Sequence, residues 1–174
     1  MKMKTNEINP STITAEAVWA ALEAVKDPEI PVVSVVEMGI VRDVQVRETD
    51  TGRAVHITMT PTFSGCPALD VMRRDMETCV RRMGVDEVTV ETVLHPPWST
   101  DFVTDAARQK LKEFGLAPPA KHGGDLTVTF YAPVACPYCD SMKTSIRNTF
   151  GSTLCRAIYF CNACQQPFEQ FKAL

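Results

Sequence analysis

The sequence predicts an α+β fold: a small three-stranded sheet covered on one face by helices, followed by a separate cysteine-rich module. Two observations predict it. Before residue 116, segments with helical and with alternating apolar periodicity follow in the order helix, two strands, helix, strand, helix. After residue 116, periodic segments become short, and two Cys-x-x-Cys pairs occur instead.

The first three elements lie before residue 61. Thr14 is expected to cap a helix whose apolar positions recur at helical spacing to about Lys26. Two prolines in the segment 27–31 then stop the helix, because proline cannot continue it. Alternating segments at about 40–47 and 54–60 flank a turn signal at 50–52, so we expect a β-hairpin there.

Four further elements complete the predicted fold. A helix is expected at about 67–83 and a strand at 87–94. Ser99 or Thr100 is expected to cap a third helix that ends at Gly115. The stretch 117–124 has no periodicity and is the best linker candidate, and 126–130 alternates like one more strand. We therefore predict two domains, at 1–116 and 117–174.

Composition and charge exclude several classes of function. The formal net charge is −3 and no basic stripe occurs, which disfavours a nucleic-acid-binding protein. No apolar run is long enough to span a bilayer, and the N-terminal residues do not resemble a secretory signal, so no membrane association is expected. The expected compartment is the cytoplasm, where the seven cysteines would stay reduced.

Four cysteines after residue 130 are expected to bind one metal ion. Cys136 with Cys139, and Cys161 with Cys164, form two knuckles whose thiolates can complete a tetrahedron. Four thiolates leave no open position, so the ion should be structural, and the module should be a rubredoxin-like zinc ribbon. Iron uses the same ligands, and the residues alone leave that alternative open. Metal binding would supply most of the folding energy of this module.

Two other cysteines need separate interpretations. Cys66 follows a loop and precedes a proline at a predicted helix start, where the helix dipole would lower its pKa and favour a reactive thiolate. The alternative is that Cys66 packs under the loop without a chemical role. Cys155 lies in an apolar, strand-like stretch, and we interpret it first as a buried apolar residue and second as a spare ligand.

Five motifs before residue 100 resemble the small iron–sulfur assembly domain family: Asp-Pro-Glu-Ile-Pro at 27–31, Met-Gly-Ile-Val at 38–41, Thr-Pro-Thr at 60–62, Gly-Cys-Pro at 65–67 and Pro-Pro-Trp at 96–98. The resemblance implies that Asp27, Glu29 and Cys66 contact iron or an iron–sulfur centre in transit. Because one thiolate cannot hold a cluster alone, a second ligand would come from a homodimer partner or from the client protein. His95 departs from the acidic residue that many relatives carry before Pro-Pro-Trp.

The cysteine knuckles and the sequence around them resemble a family of small proteins encoded with the multicomponent phenylacetyl-CoA 1,2-epoxidase of aerobic phenylacetate breakdown. This resemblance implies a non-enzymatic accessory protein that matures or inserts an iron or iron–sulfur centre. Its partners would be the reductase or oxygenase subunits of the epoxidase. The alternatives are a structural subunit of the oxygenase complex and a thiol-dependent acyl-CoA hydrolase that uses Cys66.

Overall fold

The computed structural model describes residues 13–50, 52–63, 65–124 and 133–173. The predicted α+β fold is confirmed, and none of the helices in the described ranges is long and apolar enough to cross a membrane. The elements are α1 (Ala15–Leu22), β1 (Val41–Thr49), β2 (Gly52–Met59), α2 (Leu69–Arg81), β3 (Glu87–Thr92), a 3-10 turn (Thr100–Phe102), α3 (Asp105–Glu113), β4 (Leu116–Ala117), β5 (Thr144–Asn148), β6 (Arg156–Cys161) and β7 (Pro167–Phe171).

The first sheet has the strand order β1-β2-β3. Strands β1 and β2 form the predicted antiparallel hairpin, whereas β3 runs parallel to β2. A parallel pair needs a long crossover, and α2 provides it. The buried residues Met72, Met76 and Val80 of α2 join the core to which the central strand contributes Val55 and Ile57. The sheet therefore has one face covered by helices.

Two helix ends differ from the sequence prediction. Thr14 caps α1 as expected, since its Oγ1 accepts a hydrogen bond from Ala17 N at 3.2 Å, but α1 ends at Leu22 rather than near Lys26. The prediction that Ser99 or Thr100 caps the third helix was wrong. Ser99 caps only the 3-10 turn, and the α3 cap is Thr104, because an extended Val103 interrupts the helical path between them.

The second sheet has the strand order β4-β7-β6-β5. β5, β6 and β7 pair antiparallel, and the short β4 lies parallel to β7. The stretch proposed as a linker is held at several points: Ala117 belongs to β4, and the backbone N of His122 donates to Asp101 Oδ1 at 2.9 Å. The strand predicted at 126–130 lies outside the described residues.

Phe171 joins the second sheet to the apolar core of the first sheet, while a smaller cluster packs around the knuckle cysteines. Phe171, in the last strand of the second sheet, is 1% exposed and belongs to the core of the first. Its ring meets the ring of Trp98 edge-on, with centroids 6.0 Å apart. Trp98 is itself buried and donates from Nε1 to the carbonyl of Met38 at 2.9 Å. The division at residues 116 and 117 stays a prediction, but the parts on either side of it pack together.

Candidate functional site

The four predicted metal-binding cysteines converge. The Sγ atoms of Cys136, Cys139, Cys161 and Cys164 all lie within 4.8 Å of one another. Two cross-knuckle pairs of sulfurs lie 3.7 Å (Cys136 and Cys164) and 3.6 Å (Cys139 and Cys161) apart. These separations are far longer than the ~2.05 Å of a disulfide bond, so the thiols are free. The four sulfurs are therefore available to a single ion.

The two knuckles have the same backbone geometry. In the first, Asp140 N donates to Cys136 O at 2.9 Å, and in the second Gln165 N donates to Cys161 O at 2.9 Å. The residue that follows each pair takes a left-handed conformation, with φ of 58° at Asp140 and 61° at Gln165. Backbone N–H groups within each turn favour the thiolate form of its first cysteine, Cys136 in one knuckle and Cys161 in the other.

A tetrahedral ion fits this arrangement. A Zn–S bond of about 2.3 Å implies sulfurs roughly 3.8 Å apart, close to the 3.6 Å and 3.7 Å separations of the two cross-knuckle pairs. The backbone N–H of Cys164 donates to the Cys161 sulfur at 3.5 Å and lowers the pKa of Cys161 to about 6. Four soft thiolates suit zinc, and iron also accepts such a set. With every position filled by protein, the ion would hold the ribbon together and would not bind substrate.

A second site lies where the two sheets meet. An apolar cavity of about 330 Å³ is lined by Glu29, by the loop residues 62–63 and 65–67, and by residues 150–155 of the β5–β6 connection. We call it the thiol cavity, because Cys66 and Cys155 both line it. The cavity therefore combines residues on either side of the predicted domain boundary.

The Asp-Pro-Glu segment forms one side of the thiol cavity. Asp27 is buried, and its Oδ1 accepts hydrogen bonds from Glu29 N at 2.7 Å and Ile30 N at 3.1 Å. Burial raises the pKa of Asp27 and these two N–H donors oppose the rise. Asp27 thus fixes the turn, whereas the half-buried Glu29 lines the cavity itself. Glu29 and Cys66 therefore line the same cavity, and Asp27 holds the turn that carries Glu29.

Arg156 joins this turn to the ribbon. Its Nη2 donates to the backbone carbonyl of Glu29 at 2.9 Å, and its Nη1 pairs with Glu169 Oε2 at 2.9 Å. Glu169 also accepts a hydrogen bond from the backbone N of Ser152 at 2.7 Å. This bond holds residues 150–155, which form one wall of the thiol cavity and are called the 150–155 wall below. A buried guanidinium suits this role because it donates in several fixed directions. The turn and the wall are therefore tied to one side chain.

The expectation that a helix dipole lowers the pKa of Cys66 was wrong. Burial raises the pKa of Cys66, and the carboxylates of Glu29 and Asp27 raise it further, although the backbone N–H of Ala68 opposes them. The α2 helix also begins later than predicted, with Ala68 at its N-cap, so Cys66 lies outside the first turn. Cys66 is partly exposed and stays a protonated thiol at neutral pH unless a cation displaces its proton.

From the sequence, Cys155 was interpreted first as a buried apolar residue and second as a spare ligand. It is partly buried beside the first core, but it also lines the thiol cavity. The Thr153 hydroxyl lies 3.1 Å from the Cys155 sulfur, and burial raises the pKa of this thiol too. The available signal was that Cys155 is a fifth cysteine after residue 130, in excess of the four needed by the knuckles.

Residues outside these two sites have simpler roles. His95 is exposed, and its side chain does not line the thiol cavity. Cys79, on α2, donates to the backbone carbonyl of Ala21 at 3.3 Å and so contacts α1. Of the two phenylalanines in β7, Phe168 packs in the cluster of Cys136 and Cys161, whereas Phe171 packs into the core of the first sheet.

Replacing Gly151 with alanine is expected to distort the wall of the thiol cavity. A Cβ atom there would lie 2.8 Å from Glu169 Oε1 and 2.9 Å from Arg156 Cβ. Overpacking of this kind costs about 1–3 kcal/mol, which urea unfolding would measure. The matched control is Gly65→Ala in the opposite wall, whose added Cβ meets nothing closer than the Phe63 ring at 3.9 Å. Equal stability losses in the two variants would contradict the prediction.

Two family models match the chain. Residues 15–94 match the family described as iron–sulfur cluster assembly protein, and residues 124–172 match the PaaD zinc beta ribbon domain. The resemblance to the iron–sulfur assembly family that the motifs before residue 100 indicated is therefore confirmed. The second match covers all four knuckle cysteines, so the C-terminal module is a zinc ribbon.

Two relatives of known description differ in how much of the chain they cover. A protein of Escherichia coli K12, described as one of the subunits of 1,2-phenylacetyl-CoA epoxidase, is 39% identical over 90% of this chain and 92% of its own length. The Fe-S protein maturation auxiliary factor YitW of Bacillus subtilis 168 is 34% identical over 53% of this chain and 88% of its own.

One solved structure supports the fold of the first part. A domain of unknown function, DUF59, from Bacillus anthracis superposes with a TM-score of 0.50 at 34% identity. The match covers 56% of this chain and 90% of that domain. Both shorter relatives therefore correspond to about the first half of the chain, and the ribbon is an addition to a domain that exists without it.

Proposed function

The chain belongs to the PaaD family, whose relative in Escherichia coli is described as a phenylacetyl-CoA epoxidase subunit, and from this membership we propose that it matures an epoxidase component. In this proposal it is an accessory protein that helps to insert an iron or iron–sulfur centre into the reductase or the oxygenase subunits. The single observation that supports it most is the meeting of Cys66 with the Asp-Pro-Glu turn at one cavity.

Some of these residues would contact the iron, and others would position the residues that do. Cys66 would supply a thiolate to the iron in transit, and Glu29 a carboxylate, since both line the cavity. Asp27 would act as a positioning residue, because its Oδ1 is already engaged by two backbone N–H groups. Cys136, Cys139, Cys161 and Cys164 would hold structural zinc, which keeps the 150–155 wall in place.

The surroundings of the thiol cavity suit a client protein. Three apolar side chains at its edge are partly or largely exposed: Phe63 at 39%, Leu154 at 49% and Phe150 at 62%. Exposed apolar groups beside a functional cavity are typical of contacts with another protein. The client would dock over this edge in the cytoplasm, and its own ligands would take the iron from Cys66.

A structural subunit of the oxygenase complex is the second candidate, favoured by the description of the Escherichia coli relative as a subunit. It predicts stoichiometric co-purification with the catalytic subunits and no dependence of activity on Cys66. A thiol-dependent acyl-CoA hydrolase is disfavoured, because nucleophilic cysteines need a paired base and none of the residues that line the thiol cavity is a histidine.

The maturation role can be tested in cells that lack the protein and are supplied with variants of it. Cys66→Ser should lower the iron content and the activity of the purified epoxidase components. Changing an outer-shell partner of a metal typically costs ~10–100-fold in affinity or activity, and the loss of Cys66, a direct ligand, should cost more. The matched control is Cys79→Ser, since Cys79 is also partly exposed but lies away from the cavity. Normal iron content with Cys66→Ser would contradict the proposal.

A further inference from the structure

Cys66 and Cys155 lie far apart in the sequence but line the same cavity. Cys66 comes from the loop before α2, and Cys155 from the residue before β6. Glu29 lines the cavity as well. A single thiolate is a weak anchor for iron, whereas two thiolates and a carboxylate form a set that binds thiophilic divalent cations. The ribbon therefore adds a second soft donor to the cavity.

We propose that Cys66, Cys155 and Glu29 form one binding site for a thiophilic divalent cation such as Fe²⁺, completed within a single chain. This inference rests on the proposed function and deepens it, since it assigns the second thiolate to the ribbon instead of to a homodimer partner or a client. It also gives the ribbon a direct part in metal binding that the four knuckle cysteines, which converge on an ion of their own, do not provide.

The backbone around Cys155 is fixed before any cation arrives. Its carbonyl accepts a hydrogen bond from Lys172 N at 2.9 Å, and its neighbour Arg156 anchors the strand to the carbonyl of Glu29. The same guanidinium therefore sets the spacing between the ribbon and the Asp-Pro-Glu turn. A ligand held in this way loses little conformational entropy on binding, which favours the bound state.

The charges near the cavity also favour a cation. The carboxylates of Asp27 and Glu29 act on both thiols and raise the pKa of each, in addition to the effect of burial. In the described ranges, only the four knuckle cysteines place three or more donor atoms within 4.8 Å of one another. The Glu29 side chain must therefore rotate towards the ion as it binds.

The binding step balances without any oxidant. Two S–H bonds break, two metal–sulfur bonds form, and two protons leave to the buffer. The Glu29 carboxylate adds an oxygen donor as it closes. The metal keeps its oxidation state throughout. Remaining positions on the ion stay open to water or to a ligand from a client, which permits onward transfer.

Cobalt titration of the full-length protein tests the site. The protein is kept reduced, contains one zinc per chain, and is titrated with Co²⁺, whose near-ultraviolet charge-transfer absorption reports cobalt–thiolate bonds. Zinc stays in the knuckles because it binds such sites more tightly than cobalt. We expect one additional Co²⁺ with two thiolate bonds. Cys66→Ser and Cys155→Ser should each halve the absorption and weaken binding by about a hundredfold or more.

Two controls separate ligand loss from misfolding. Cys79→Ser should bind Co²⁺ like the unaltered chain, since Cys79 does not line the cavity. Cys155→Ala provides a second variant, because alanine fits a partly buried position without adding a polar group. Both Cys155 variants should retain one zinc per chain and an unchanged thermal transition, which would show that the ribbon is intact.

The outcomes distinguish this site from the proposed function. Unchanged Co²⁺ binding in Cys155→Ser and Cys155→Ala, or no additional Co²⁺ in the unaltered chain, would overturn the two-thiol site. Full maturation of the epoxidase in cells with Cys155→Ala, together with its loss in cells with Cys66→Ser, would also overturn it while the proposed function stands. Full maturation with both variants would refute the proposed function and the site together.

Discussion

Replacing Cys136 with serine should release the metal ion and unfold the ribbon, the largest loss expected from a single change. Cys136 is fully buried, and its sulfur is one of the four that converge. Structural zinc contributes about 10–16 kcal/mol to the folding of small zinc-binding peptides. A three-thiolate site would lose much of this free energy. Elemental analysis should find less than one zinc per chain, and circular dichroism should show the loss of ribbon structure.

A chelator provides an independent form of the same experiment. Removing the metal from the unaltered chain should reproduce the spectrum of Cys136→Ser, whereas Cys79→Ser should keep its metal. One outcome would contradict the prediction that the metal stabilises the ribbon. If the metal-free chain retains the complete spectrum and the thermal transition of the loaded protein, apolar packing alone holds the ribbon and the metal contributes nothing to its folding.

Replacing Phe171 with alanine should destabilise both parts of the chain together. Phe171 is among the largest fully buried side chains and packs edge-on against Trp98. Large-to-small changes of a buried phenylalanine cost about 3–5 kcal/mol, from lost transfer free energy and from the cavity that remains. Urea unfolding, monitored by Trp fluorescence and by the far-ultraviolet signal, should show this loss as a lower midpoint.

The informative result is which part of the chain the Phe171→Ala change destabilises. If Phe171 joins the two parts energetically, the urea unfolding midpoint of the first sheet falls together with that of the ribbon. Phe114→Ala is a suitable control, because Phe114 is 46% exposed and surface changes usually alter stability by less than about 0.5 kcal/mol. A shift confined to the ribbon would mean that Phe171 does not join the two parts energetically.

Much of the fold could be predicted from local sequence signals. Alternating apolar residues and the turn at 50–52 located the β-hairpin, and the Thr14 hydroxyl located the start of α1. The end of α1 was misjudged, because Val25 continues the apolar pattern although the chain has already turned. The α3 cap was misjudged because Ser99 and Thr104 are both good caps, and only the extended Val103 separates their turns.

The candidate sites differ in how far the sequence revealed them. The knuckle cysteines follow from spacing alone, since each pair lies within one tight turn. The presence of Cys155 and Cys66 at one cavity depends on how the ribbon packs against the first sheet, which no local pattern encodes. The raised pKa of Cys66 depends on burial and on the nearby carboxylates, so a helix-start motif was a poor guide to its protonation.

Strand β7 lies in the interior of the second sheet, between β4 and β6, although it is the last of these strands along the chain. A nascent polypeptide on the ribosome therefore cannot finish that sheet until β7 has emerged. Glu169 of β7 also clamps the wall that carries Cys155. During synthesis, the loop of Cys66 is thus made early, and it meets the opposite wall of the cavity only after β7 has emerged.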